Sequence, residues 1–133
     1  MASEKLRELL VKQEDVLEDL ILDSLRGIVS LDSKSGEVYP TERYGKLKPE
    51  AKICVFLMAR KAANLLGLNG ADSASATTIK ERTGMPVGTV NPKLRNLFGK
   101  GIIAQNEEKE YYMPPHGLAL AREIIRGGEG NEP

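Results

Sequence analysis

The chain has 133 residues, 41% of them hydrophobic, and nineteen basic side chains balance nineteen acidic ones at a net charge of zero. That length suits one domain with one appended element, and the apolar content is enough for a true core although tryptophan is absent. A membrane span is excluded because no apolar run reaches the ~18 residues that one requires, and an internal disulfide is excluded because Cys54 is the single cysteine.

The N-terminal stretch "MASEKLRELL" carries acids and no long apolar run, so it does not look like a secretory signal. With one cysteine and no signal, a cytoplasmic location is expected. Residues 3–26 are expected to form one long helix. Leu6, Leu9, Leu10, Leu17, Leu20, Ile21 and Leu25 recur at three- and four-residue intervals, with Ser3 placed to cap the start. Acids at Glu14, Asp15, Glu18, Asp19 and Asp23 crowd the remaining surface. A stripe of this length on a terminal helix must be covered by its own domain or by a second chain.

Val29 and Leu31 alternate with Ser30 and Asp32, "DSKSG" is turn chemistry, and "EVYP" returns toward Pro40, which together predict a small hairpin. The next segment predicts a helix from Pro49 to about Leu66, with proline in the first helical position and Gly67 just past the end. Ile53, Phe56, Leu57, Ala63 and Leu66 line its broad apolar face. Cys54 lies within this helix and is expected to pack as a small hydrophobe. After a loop, "TTIKERTG" predicts a short helix, with Thr78 and Glu81 as a capping box and Gly84 as its left-handed terminator. Another helix is expected over 87–100, then two short strands around a polar turn at 106–109. Tyr111 and Tyr112 should face opposite ways, one packed and one exposed. A last helix places Leu118, Ala121, Ile124 and Ile125 on one face, and the Gly-rich tail should be disordered. The chain thus divides into an extension of helix and hairpin (1–46), a main domain (47–126) and a tail (127–133).

Neutral overall charge conceals a strong segregation. Residues 1–41 hold five basic and nine acidic groups (−4), residues 42–100 eleven and four (+7), and residues 101–133 three and six (−3). A chain with a basic middle and acidic ends can present one face to a polyanion.

From residue 48 to 113 the order is helix, short helix, tight turn, helix and two-stranded wing. Ile79, the turn "TGMP" and "VGTVNPKLRNLFGKGII" carry a resemblance to the winged helix-turn-helix superfamily. In that superfamily a small or hydroxyl residue and a valine open the second helix, leucines beyond them face the core, and a glycine followed by aliphatics leads to the wing. Gly88, Thr89, Val90, Leu94, Leu97, Gly101, Ile102 and Ile103 stand at those places. The resemblance covers about half the chain and implies a mainly α fold with small β. The N-terminal helix and hairpin lie outside the pattern.

Pro92 complicates the second helix of this motif. Inside a helix it would remove a hydrogen bond and clash with the preceding turn, at a cost of ~3 kcal/mol, whereas the first turn tolerates it. Pro92 is therefore expected in or next to the first turn, with Gly88 or Thr89 as the cap, or with Asn91 as the cap and Pro92 first.

The resemblance implies binding of double-stranded DNA, with the helix at 86–100 in the major groove. Thr89, Asn91, Lys93, Arg95 and Asn96 would face the duplex, since Arg and Asn suit bidentate contacts to guanine and adenine and Lys and Thr reach phosphates or bases. Lys80, Arg82 and Lys100 would hold phosphates, joined by Lys46, Lys48 and Lys52 if the start of their helix lies near the backbone. Lys109 is the one basic group on a wing that also carries Glu107, Glu108 and Glu110, an unusually acidic wing for a DNA binder. A homodimer through Leu6, Leu10, Leu17, Leu20 and Ile21 is expected, the competing arrangement being packing of residues 3–26 on the chain's own helix at 49–66. A transcriptional regulator or chromosomal accessory factor fits these features. The alternative is a winged-helix adaptor in a larger assembly, with a protein partner. No catalytic constellation, cofactor motif or metal-ligand spacing is present, His116 being the single histidine.

Overall fold

A computed structural model describes residues 3–10 and 13–127. The molecule is mainly helical, with two small antiparallel two-stranded sheets. Its elements in chain order are α1 (Ser3–Leu6), a 3₁₀ turn (Arg7–Leu9), α2 (Gln13–Leu25), β1 (Val29–Leu31), β2 (Val38–Pro40), α3 (Glu42–Gly45), α4 (Pro49–Leu65), α5 (Ala76–Thr83), α6 (Val87–Gly99), β3 (Ala104–Gln105), β4 (Tyr111–Tyr112), a second 3₁₀ turn (Pro115–Gly117) and α7 (Leu118–Gly127).

Helix α4 is the axis of the fold. It packs against α2, α5, α6 and α7 and touches both hairpins. Every residue from Ile53 to Ala59 is buried, including Cys54. A helix covered on all sides must be apolar all round, and "ICVFLMA" meets that condition. Its start at Pro49 is as expected, and Gly67 follows in the left-handed conformation. Leu66, expected on the apolar face, is instead exposed, because it stands just past the last helical turn.

The long N-terminal helix is not continuous. Leu10 is extended, with φ −77° and ψ 133°, and separates α1 and its 3₁₀ turn from α2. Ser3 is the first residue of α1 rather than a cap before it. Within α2 the apolar stripe turns inward: Ile21 and Leu25 are buried, and Leu17 and Leu20 are partly buried against the core. α2 lies on α4 and α7 of its own chain, and Asp23 fastens it to α7 by ion pairs to Arg122 Nε and Arg126 Nη2, each at 2.9 Å.

The first hairpin pairs Val29 with Pro40 and Leu31 with Val38. Its turn is built by Asp32, whose Oδ2 accepts hydrogen bonds from the backbone N–H groups of Lys34 (3.0 Å) and Ser35 (2.7 Å). These donors favour the charged form and lower the Asp32 pKa. Gly36 closes the turn at φ +74°, where a Cβ would also collide with Leu68.

α5 begins earlier than its capping-box pattern suggested. Ser75 is the cap, and its Oγ accepts from the Thr78 backbone N–H at 3.1 Å, so Thr78 lies inside the helix and Glu81 is exposed. Ser75 offers the same oxygen as Thr78 three residues sooner, and alanine at position 76 extends the helix readily. Gly84 ends α5 at φ +74°, as expected. The second hairpin pairs Ala104 with Tyr112 and Gln105 with Tyr111. Both tyrosines are partly buried, so the packed-and-exposed division expected for them does not occur. Ala74 adds a third segment by exchanging two 2.8 Å backbone hydrogen bonds with Tyr111. In α7, Leu118, Ala121 and Ile125 are buried, and Ile124 packs partly against them. Gly127, expected in the tail, closes α7, and the tail beyond it lies outside the described residues.

Burial, with a smaller contribution from the Glu50 charge, pushes the Cys54 thiol up to about 12. Native Cys54 should therefore react with iodoacetamide at pH 8 on the order of 10³-fold more slowly than in the urea-unfolded chain, because thiolate is the reactive form. Mass spectrometry of timed samples measures this, and comparable rates would place Cys54 outside the core.

Candidate nucleic-acid interface

The candidate face is built on α5 and α6, which pack against each other across the Gly84 turn. Three side chains fix the rotation of α6. Val90, Leu94 and Leu97 are no more than 1% exposed, so the opposite side of the helix must face outward. On that side Asn91, Pro92, Arg95, Asn96 and Lys100 are exposed, and Thr89 and Lys93 are partly exposed. On α5, Arg82 is exposed and Lys80 partly so. Lys80, Arg82, Lys93, Arg95 and Lys100 have no carboxylate partner among the described residues. Three cations elsewhere are paired, Lys61 with Asp72 at 3.7 Å and Arg122 and Arg126 with Asp23.

Asn96 is held differently from its neighbours. Its Nδ2 donates to Glu50 Oε2 in the first turn of α4. That bond joins α6 to the start of α4 and places a carboxylate at one end of the basic face. It also brings Lys48, the residue before α4, to the same end. Lys52 lies with its Nζ 5.7 Å from the centroid of the Tyr44 ring. Lys109 is at the tip of the second hairpin with φ +63°, separate from α5 and α6. Its neighbours Glu107 and Glu108 are exposed. Glu110 turns back, accepting a 2.6 Å hydrogen bond from the Ser73 hydroxyl.

The proline does not lie in the first turn. α6 begins at Val87 with Pro86 as its cap residue, so neither Gly88, Thr89 nor Asn91 caps it and Pro92 is the sixth helical residue. The Pro86 carbonyl accepts from Thr89 N (2.9 Å) and Val90 N (3.0 Å), which starts the helix ahead of the expected caps. Having no N–H, Pro92 cannot donate to the Gly88 carbonyl. Both residues are exposed, so water can serve that carbonyl.

No sequence pattern marks Arg60, yet it sets the approach to α5. Its Nε (3.1 Å) and Nη2 (2.8 Å) both donate to the Ser73 carbonyl, and its guanidinium lies 5.7 Å from the Phe56 ring centroid. Burial and then the nearby Arg82 charge lower its pKa from the usual value. Ser73 in turn donates to Glu110, so one chain of bonds links α4, the entry to α5 and the second hairpin. No local sequence signal marks this chain, because its members are distant in sequence.

The described residues contain no cluster of histidine, cysteine or carboxylate able to hold a metal, and His116 is exposed. None of their helices is long and apolar enough to cross a membrane.

Arg60→Ala is expected to destabilise the fold by about 2 kcal/mol through loss of two charge-assisted hydrogen bonds. Urea unfolding followed by circular dichroism tests this, and a change within 0.5 kcal/mol, about the size of an ordinary surface substitution, would remove Arg60 from that role. Pro92→Ala should stabilise the chain by roughly 1–3 kcal/mol, since it restores a ladder hydrogen bond in a helix interior. Destabilisation in the same assay would contradict the placement of Pro92 past the first turn.

No protein-family model, no curated protein and no solved structure matches this chain.

Proposed function

We propose that the chain binds double-stranded DNA as a winged helix-turn-helix protein, with α6 as the reading helix, and acts as a transcriptional regulator or chromosomal accessory factor. The observation that carries this reading is the set of five cations, four on α5 and α6 and Lys100 just past α6, that have no carboxylate partner among the described residues, with the other side of α6 locked in the core. Unpaired cations on one face attract the phosphate backbone and release its counterions. Arg95 and Asn91 can then form two-point contacts with base edges. The Ala74–Tyr111 bridge supports the winged arrangement, since it ties the entry of α5 to the hairpin that would serve as the wing.

The acidic wing tip and the Glu50 carboxylate beside Asn96 favour a second reading, an adaptor that binds protein through this face. Binding of a fluorescent random-sequence duplex at two salt concentrations separates the two. DNA binding predicts an affinity that falls steeply with salt, with a slope of about 0.9 per phosphate contacted. Lack of any salt-dependent binding would leave the adaptor reading.

Within the DNA reading, Arg95→Ala should lower affinity by roughly 1–3 kcal/mol, and Lys93→Ala should reduce the salt slope by about one. A folded Lys93→Ala/Arg95→Ala chain that binds like the parent would exclude this side of α6 as the DNA surface.

A further inference from the structure

Glu50 brings a carboxylate to a basic face. It lies in the first turn of α4, is partly exposed, and its Oε2 accepts from Asn96 Nδ2. Asn96 belongs to a strip along one side of α6 and its end, in which Thr89, Lys93, Asn96 and Lys100 follow at intervals of four, three and four residues. Asn91 and Arg95 stand four apart on the other side of the exposed surface, with the exposed Val87 and Phe98 before and after them. Lys48 precedes Glu50 by two residues, and Lys93 and Lys100 share the strip with Asn96. None of the three forms an ion pair with Glu50 among the described residues. The carboxylate makes one hydrogen bond among those residues, the bond from Asn96, which leaves Oε1 open as an acceptor.

We propose that Glu50 is a specificity-determining residue: aimed by Asn96, its carboxylate accepts a hydrogen bond from the exocyclic amine of a cytosine or adenine in the major groove. The inference rests on the DNA reading of α6. A negative charge in the first turn favours the start of α4 wherever its side chain points. The bond from Asn96 does something further, since it turns that charge toward the strip of α6 that carries Lys93 and Lys100.

A duplex docked on α6 brings phosphates toward this strip, and they repel the carboxylate. Contact also removes water from Oε1, and an acceptor left unpaired lowers affinity for every sequence that offers it no donor. In the major groove the donors are the cytosine N4 and adenine N6 amines, whereas the guanine and thymine edges carry acceptors. At a fixed position on one strand the carboxylate therefore accepts cytosine or adenine and rejects guanine and thymine. Holding one oxygen on Asn96 reduces the freedom lost when the other binds. The lysines of the strip stay available to phosphates, because none is bound to Glu50. A residue that only tied α4 to α6 would need the hydrogen bond but not the charge, and that difference can be measured.

Selection from a random duplex library by the full chain, followed by sequencing, should yield a position fixed as cytosine or adenine. The Glu50→Gln chain should select without that bias. Glutamine can still accept from Asn96, so the tie to α6 survives while the charge is gone. The selected duplex is then remade without the amine, with pyrimidin-2-one in place of the cytosine or purine in place of the adenine. The parent should lose about tenfold in affinity, the size of one base contact, and the Glu50→Gln chain should lose none. The two analogues separate cytosine from adenine as the base that is met. A parent indifferent to the amine overturns the inference, as does a Glu50→Gln chain that loses as much as the parent. If circular dichroism shows the Glu50→Gln chain unfolded, Asn96→Ala takes its place. Freeing the carboxylate should erase the amine effect, and a full tenfold loss in that chain overturns the inference. Salt-dependent duplex binding by the parent without amine discrimination leaves the DNA reading standing and removes Glu50 from it, whereas absence of duplex binding removes both.

Discussion

The rest of the molecule depends on the enclosure of α4. Seven successive residues, Ile53 to Ala59, are buried, so there is no solvent face along the middle of that helix. Each neighbouring element is positioned by contact with it, and truncating any of its large side chains would leave a cavity costing several kcal/mol. Polar groups remain at its two ends, and they are the ones that orient the candidate site. Glu50 in the first turn holds Asn96 of α6, and Arg60 in the later part holds the Ser73 carbonyl before α5. One apolar helix thus supplies both the core and the two anchors of the helix pair built over it.

What was legible in the sequence was chiefly punctuation. Pro49 and Gly67 bound α4, Gly84 ends α5, and the "DSKSG" turn places the first hairpin, because each depends on backbone chemistry within a few residues. The break at Leu10 was hidden because leucine spacing continues across it, and spacing reports which side chains share a face rather than whether the backbone is continuous. Ser75 and Thr78 are both good caps, and sequence alone had no means to rank them. The short helix α3 carried no periodic signal. At the candidate site, the basic residues of α5 and α6 were found by charge and spacing. The bonds that orient them were not, since Asn96 and Glu50 are 46 residues apart and Ser73 and Glu110 are 37 apart.

Charge segregation carries over from the sequence into the fold in a specific way. Asp23 is neutralised by two arginines of α7, which clamps the N-terminal layer in place. Asp15, Glu18 and Asp19 of α2 have no cationic partner among the described residues, and the cations of α5 and α6 have no carboxylate partner among them. The chain is neutral as a whole, yet open acids gather on α2 and open cations on α5 and α6, where Glu81 is the one exposed acid, so partners of opposite charge can be met at different places on one small surface.

Pro92 has a consequence for the way α6 can yield. The helix lacks the one backbone hydrogen bond that would run from position 92 to Gly88, while Leu94 and Leu97 hold the segment beyond it in the core. The opening turn is thereby joined to the rest of the helix by one fewer rung. Val90, wholly buried, still pins that turn to the core, so the missing rung lies between two anchored parts of one helix and not at a free end. The local weakness is thereby confined to the exposed side of the helix, where Asn91 and Pro92 stand.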